Sequence, residues 1–110
     1  MHLFDLFLPL RGPKQAVSLA SELTQRSCAS VWDAAQHRVL CMSVAEARGY
    51  LRAKAAEVVA AKVDARVLAQ RGIPLSAREN IVSLAADGVV ERLLNEAVRL
   101  KQTQSYRRAA

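Results

Sequence analysis

The chain has 110 residues, the size of one ordinary domain and too short for two, so a single hydrophobic core can hold it without disulfides or metals. Its apolar fraction is 52%, but much of that is alanine and only 5% of residues are aromatic, which implies a thin, close-packed core. The formal charge of +6 suits either a polyanionic partner or plain solubility, and no segment has the roughly 18–20 uninterrupted apolar residues that span a bilayer.

Alanine with Leu, Arg, Glu and Lys is the composition of helix, and strand formers do not cluster. The expected fold is therefore all-α, a small bundle of three to four helices with the last two long and antiparallel. Three regions are expected: an apolar N-terminal arm (1–12), a single helical domain (13–104) and a basic frayed tail (105–110). Cys28 and Cys41 make no disulfide framework and read as small apolar residues in a reducing compartment. The N-terminus lacks the basic region and cleavage site of a secretory signal, so the cytoplasm is the expected location.

The opening decapeptide contains both phenylalanines, and Leu3, Leu6, Phe7 and Leu10 recur at helical spacing. Pro9 argues for a short helical turn or an extended arm rather than a long helix. Phe4, Phe7 and Leu8 need burial, either in this core or in a partner. A first helix is expected from about Pro13 to Arg26, with Val17, Ala20 and Leu23 on its inner face. Ser27 to Ser30 reads as a polar break, and Ser30-Val31-Trp32-Asp33 as a capping box opening a short helix to about Arg38, although the two helices can also be continuous.

Ser43-Val44-Ala45-Glu46 is a second capping box, opening a helix expected to run from Val44 to about Gln70. Arg71-Gly72-Ile73-Pro74 ends it with a base, then glycine, then proline. Ser76-Ala77-Arg78-Glu79 is a third box, opening a last helix to about Gln104 with Ile81, Val82, Ala85, Val89, Leu93, Ala97 and Leu100 as its apolar stripe. Gly88 lies inside that helix, where it costs roughly 1 kcal/mol against alanine and can admit a close neighbour. A helix-turn-helix at Ala85–Val89 is the weaker reading, because Leu84 occupies the position where a small residue is wanted.

A helix of about 27 residues extends about 40 Å, against a radius of gyration near 13 Å for a compact domain of this size. Its apolar residues point several ways: Leu51 and Val58, Val63 and Val67, Tyr50 and Leu68. The length implies that the helix either overhangs the bundle or pairs with another copy, and with the several apolar faces it favours pairing. The same helix holds the candidate polyanion-binding residues. With Arg48 at zero and about 100° per residue, Arg52 falls near 40°, Lys62 near −40° and Arg66 near zero, with Glu46, Glu57 and Asp64 opposite. Such a ridge could track phosphates.

Asp33, His37 and Cys41 share one helical face if the helix persists, yet no anion-stabilising loop accompanies them. CxxC and HxxxH metal pairings, Gly-rich phosphate loops, HExxH and GxSxG are all missing from the sequence. No catalytic, metal or cofactor site is expected. Trp32, with Tyr50 and Tyr106, reads as a core anchor before a stacking platform. The favoured reading is a non-enzymatic interaction or oligomerisation module, a homodimer using Phe4, Phe7 and Leu8 as partner-binding residues. Its rival is a small nucleic-acid-binding protein using Arg48, Arg52, Lys62 and Arg66.

Overall fold

The structure is a computed structural model that describes the backbone of residues 2–109 and the side chains of residues 14–104 and Arg107. Its elements are α1 (His2–Val39), α2 (Val44–Lys62), the short α3 (Ala65–Gln70), a 3-10 turn (Leu75–Ala77) and α4 (Arg78–Ala109). Among the described residues there is no strand. The fold is the small all-α bundle expected from composition.

Contacts along the chain fix the directions of the helices. Lys62 reaches the Arg26 carbonyl across the α1–α2 pair, and Arg38 lies over the Tyr50 ring, so these two helices are antiparallel. Arg52 meets Asp87, and Arg78 meets Ala60 and Val63, so α2 and α4 are antiparallel as well. α1 and α4 therefore run parallel, with Thr24 beside Ala85 and Gly88.

α1 departs from the expected break at Ser27–Ser30. No proline or glycine falls between Lys14 and Val39, and Ser27 is fully buried rather than looped out. Packing of small residues against the neighbouring helices outweighs the local preference of serine for caps. Ser30 is exposed mid-helix and caps nothing. α1 also passes through Pro9 and Pro13, each of which removes one backbone donor from the helical ladder. At the far end, α4 continues to Ala109 without a turn at Gly88.

The expected helix from Val44 to Gln70 is instead two helices. α2 ends at Lys62, and Asp64 caps α3 by accepting from the Val67 amide at 2.9 Å. Such an end leaves backbone carbonyls without partners. Here the Arg78 guanidinium donates to the carbonyls of Val63 (2.7 Å) and Ala60 (3.0 Å) from the start of α4. The length argument for pairing therefore fails, because α2 has only 19 residues.

The multi-faced apolar character of this region has an internal cause too. α2 lies against both α1 and α4, so Leu51, Val59 and Val63 are fully buried within one chain and Val58 is half-buried. The molecule is nonetheless elongated, with a radius of gyration of 17.2 Å, because α1 and α4 have 38 and 32 residues.

The core has two parts. One gathers Val31, Ala35, Val39, Leu51, Ala55, Val89 and Leu93 toward the α1–α2 connection, with Trp32 and Tyr50 packed at its edge. The other gathers Leu19, Leu23, Val63, Leu68, Ile73, Ile81 and Ala85 toward the α2–α4 connection. The parallel α1–α4 pair approaches closely between them. A Cβ at Gly88 would sit 2.7 Å from Thr24 Oγ1, a distance that real Cβ atoms do not tolerate. Thr24 is itself buried, its hydroxyl within bonding distance of the carbonyls of Ala20 (2.9 Å) and Ala85 (3.2 Å).

Candidate interaction surface

The four bases of the expected ridge do not share a solvent face. Buried residues Ala47, Leu51, Ala55, Val59 and Val63 recur every four positions along this stretch, so their stripe drifts about 40° per step around the helix. The drift carries it across the ridge direction, with Ala55 and Val59 near −20° and 20° on the same scale. Bases on that line must therefore leave it sideways, on opposite flanks. Arg52 leans toward α4, where Nε donates to Asp87 at 2.8 Å and a second nitrogen donates to Ser83 Oγ at 3.1 Å. Lys62 leans toward α1, where Nζ donates to the Arg26 carbonyl at 3.2 Å. Arg48 is exposed near the start of α2, and Arg66 is exposed on α3 beyond the break.

Other bases hold the fold together. Arg71 donates to Glu22 at 2.6 Å, and Lys101 donates to the Met42 carbonyl in the α1–α2 connection, whereas among the described residues Arg99 pairs only with Glu96, within α4. Much of the basic excess thus closes helix ends and joins helices.

Asp33 and His37 lie one turn apart on α1, both exposed, and Cys41 is exposed in the following turn. Among the described residues, no group of three His, Cys, Asp or Glu side chains is placed to hold a metal ion. Cys28 is half-buried, and its thiol is pushed up from the ordinary cysteine value by burial, with the nearby Arg92 acting in the opposite direction. Trp32 is half-buried against the core, as an anchor would be. Tyr50 is half-buried, with Arg38 and Lys54 each 5.9 Å from its ring centre. Tyr106 lies outside the described side chains, as do Phe4, Phe7 and Leu8.

A surface the sequence did not single out lies at the α2–α4 end. Between α1 and the start of α4 runs a groove of about 490 Å³, lined among the described residues by Ala16, Val17, Pro74, Ala77, Asn80, Ser83 and Leu84. None of these carries a charge. Val17 is 57% exposed and Leu84 48%, although Val17 was expected on the inner face. Leu75, in the 3-10 turn beside Pro74, is 62% exposed. Among the described residues one other large apolar side chain is exposed, Val44, at the opposite end in the first turn of α2.

The groove offers little to a small polar ligand. Such sites combine apolar walls with several convergent polar groups. Here the polar lining side chains are Asn80 and Ser83, and the Ser83 hydroxyl already accepts from Arg52. No described helix is long and apolar enough to cross a membrane. The signal for this surface in the sequence is faint, since Val17 and Leu84 stand in helical segments rich in other apolar residues. Comparisons of the chain with family models, curated proteins and solved structures find no match.

Proposed function

We propose that this chain is a non-enzymatic helical interaction module whose contact surface is the apolar end of the bundle. The observation that carries this reading is the exposure of Val17 and Leu84 along a groove whose described lining is uncharged, with exposed Leu75 in the adjoining turn. In a chain of net charge +6, a contiguous apolar opening of this kind marks a protein contact rather than a polyanion contact. The segment that precedes this end in the chain, residues 3–10, is apolar in sequence.

The engagement of Arg52 with Asp87 and of Lys62 with the Arg26 carbonyl weighs against a ridge tracking phosphates. A titration against duplex DNA at two salt concentrations is expected to show none of the steep salt dependence of multiple phosphate contacts.

The test of the interaction reading is sedimentation equilibrium of the full chain beside a V17E/L84E variant. Both side chains are substantially exposed, so the variant is expected to keep wild-type helicity and melting. The wild type is expected to self-associate in the micromolar range and the variant to remain monomeric. Equal association of the two chains removes the groove from the interface.

A further inference from the structure

We infer that the occupant of the α1–α4 groove is residues 3–10 of a second copy of this chain, exchanged reciprocally about a two-fold axis. This rests on the interaction reading above and names its partner.

The chemistry of the two surfaces matches. The described lining of the groove is uncharged. The segment Leu3-Phe4-Asp5-Leu6-Phe7-Leu8-Pro9-Leu10 has large apolar side chains at six positions, a single acid and no base. Neither surface has a feature that recruits a charged ligand.

The geometry separates the arm from its own groove. Gln15 lies beside the turn that closes this end of the bundle, its Oε1 3.8 Å from the position a Cβ would take on Gly72. The helical residues before it, from His2 to Lys14, extend about 20 Å further at 1.5 Å per residue. The longest dimension of the molecule, 64 Å, exceeds by that order the roughly 48 Å of the 32-residue α4. A continuous α1 therefore carries residues 3–10 away from Val17 and Leu84 of the same chain. An antiparallel second copy brings them back. Facing residue 7 of each copy with residue 17 of the other centres the axis on residue 12, a glycine, where two helices can approach closely.

The area argues for exchange in both directions. If about half of the arm's six large side chains face the groove at roughly 150 Å² each, one arm and its groove bury about 900 Å² together. That is the scale of a weak, transient contact, whereas two such sites reach about 1,800 Å², inside the range of stable interfaces.

The test mixes two full-length variants. F4E/F7E has a damaged arm and an intact groove, and V17E/L84E has an intact arm and a damaged groove. Each alone is expected to be monomeric, with association weakened by about a hundredfold or more, the scale of losing two buried large apolar groups. The mixture is expected to form a one-to-one heterodimer through the single site that retains both halves, weaker than the wild-type dimer and detectable by fluorescence transfer between labelled chains. Wild-type association of F4E/F7E overturns the exchange, because the groove then binds something other than the arm. A mixture that stays monomeric overturns it too. A monomeric wild type, with the arm folded onto its own groove, overturns the second copy as occupant. If V17E/L84E associates like the wild type, the interaction reading itself fails, a result distinct from the failures above.

Discussion

At the α1–α2 end of the bundle, Lys101 reaches from α4 to the Met42 carbonyl, and Ser43 and Glu46 satisfy each other's backbone donors at 3.2 Å. Trp32, Leu40, Met42 and Tyr50 pack over the core there. At the α2–α4 end the backbone is satisfied just as fully. Gly72 adopts φ 67°, and the amides of Gly72 and Ile73 bond the carbonyls of Ala69 (3.1 Å) and Leu68 (2.9 Å). Arg78 closes the end of α2. What differs is the apolar surface: Val17, Leu75 and Leu84 remain open at the second end although its helix ends are closed. Exposed apolar groups beside a well-closed helix end are not a by-product of fraying. They are a surface kept open by an otherwise ordered end, and that is the reason to assign it a partner.

The comparison can be broken most directly at Arg78. Replacing it with methionine keeps apolar bulk but removes the donors to Ala60 and Val63, and urea unfolding should show a loss of about 3 kcal/mol. A loss no larger than that of a solvent-facing substitution would mean that the second end is not pinned in this way. Gly88→Ala, between the two ends, should cost about 2 kcal/mol despite its better helix propensity, since the added methyl meets a buried, β-branched Thr24. Combining it with Thr24→Ala should recover part of that loss if the contact is the cause. Gly72→Ala places a Cβ in left-handed backbone and should cost about 1 kcal/mol, read from the same unfolding curves.

Ser43→Ala sharpens the other end, with an expected cost of about 1 kcal/mol at neutral pH. The Ser43 amide and hydroxyl hold the Glu46 carboxyl below its ordinary value. A depressed carboxyl contributes stability that is present above its unfolded pKa and is lost as pH falls through the folded one. The stability gap between wild type and Ser43→Ala should therefore narrow on acidification through the carboxylate range. A gap that widens there would contradict the hold of the Ser43 hydroxyl on the Glu46 carboxyl. The smallest effect should come from V17E/L84E, whose melting is expected to stay near that of the wild type while its association changes.

Local chemistry was legible in the sequence where a short motif carries its own partners. Ser43 with Glu46, and Arg71-Gly72-Ile73-Pro74, form the helix start and helix end that their residues imply. The same capping pattern at Ser30 misleads, because a cap needs a helix boundary and nothing between Lys14 and Val39 breaks the helix. At Ser76 the residue lies within the 3-10 turn that precedes α4. The break at Val63–Asp64 left a trace in Asp64, a good capping residue, but its other half is Arg78, 15 residues along the chain. No local pattern shows such a partner. The engagement of Arg52 and Lys62 was hidden for a related reason: angles around one helix do not reveal which neighbours flank it. The groove between Val17 and Leu84 was hidden in the same way, since it exists only once α1 and α4 lie side by side.

The most direct test of the account follows amide and indole resonances of the full chain across a dilution series. Association through the open end predicts concentration-dependent shifts at Val17, Ala77, Asn80 and Leu84, with the Trp32 indole and Tyr50 amide unchanged. Spectra that do not move over the series, or shifts confined to the Trp32 and Tyr50 end, would contradict it.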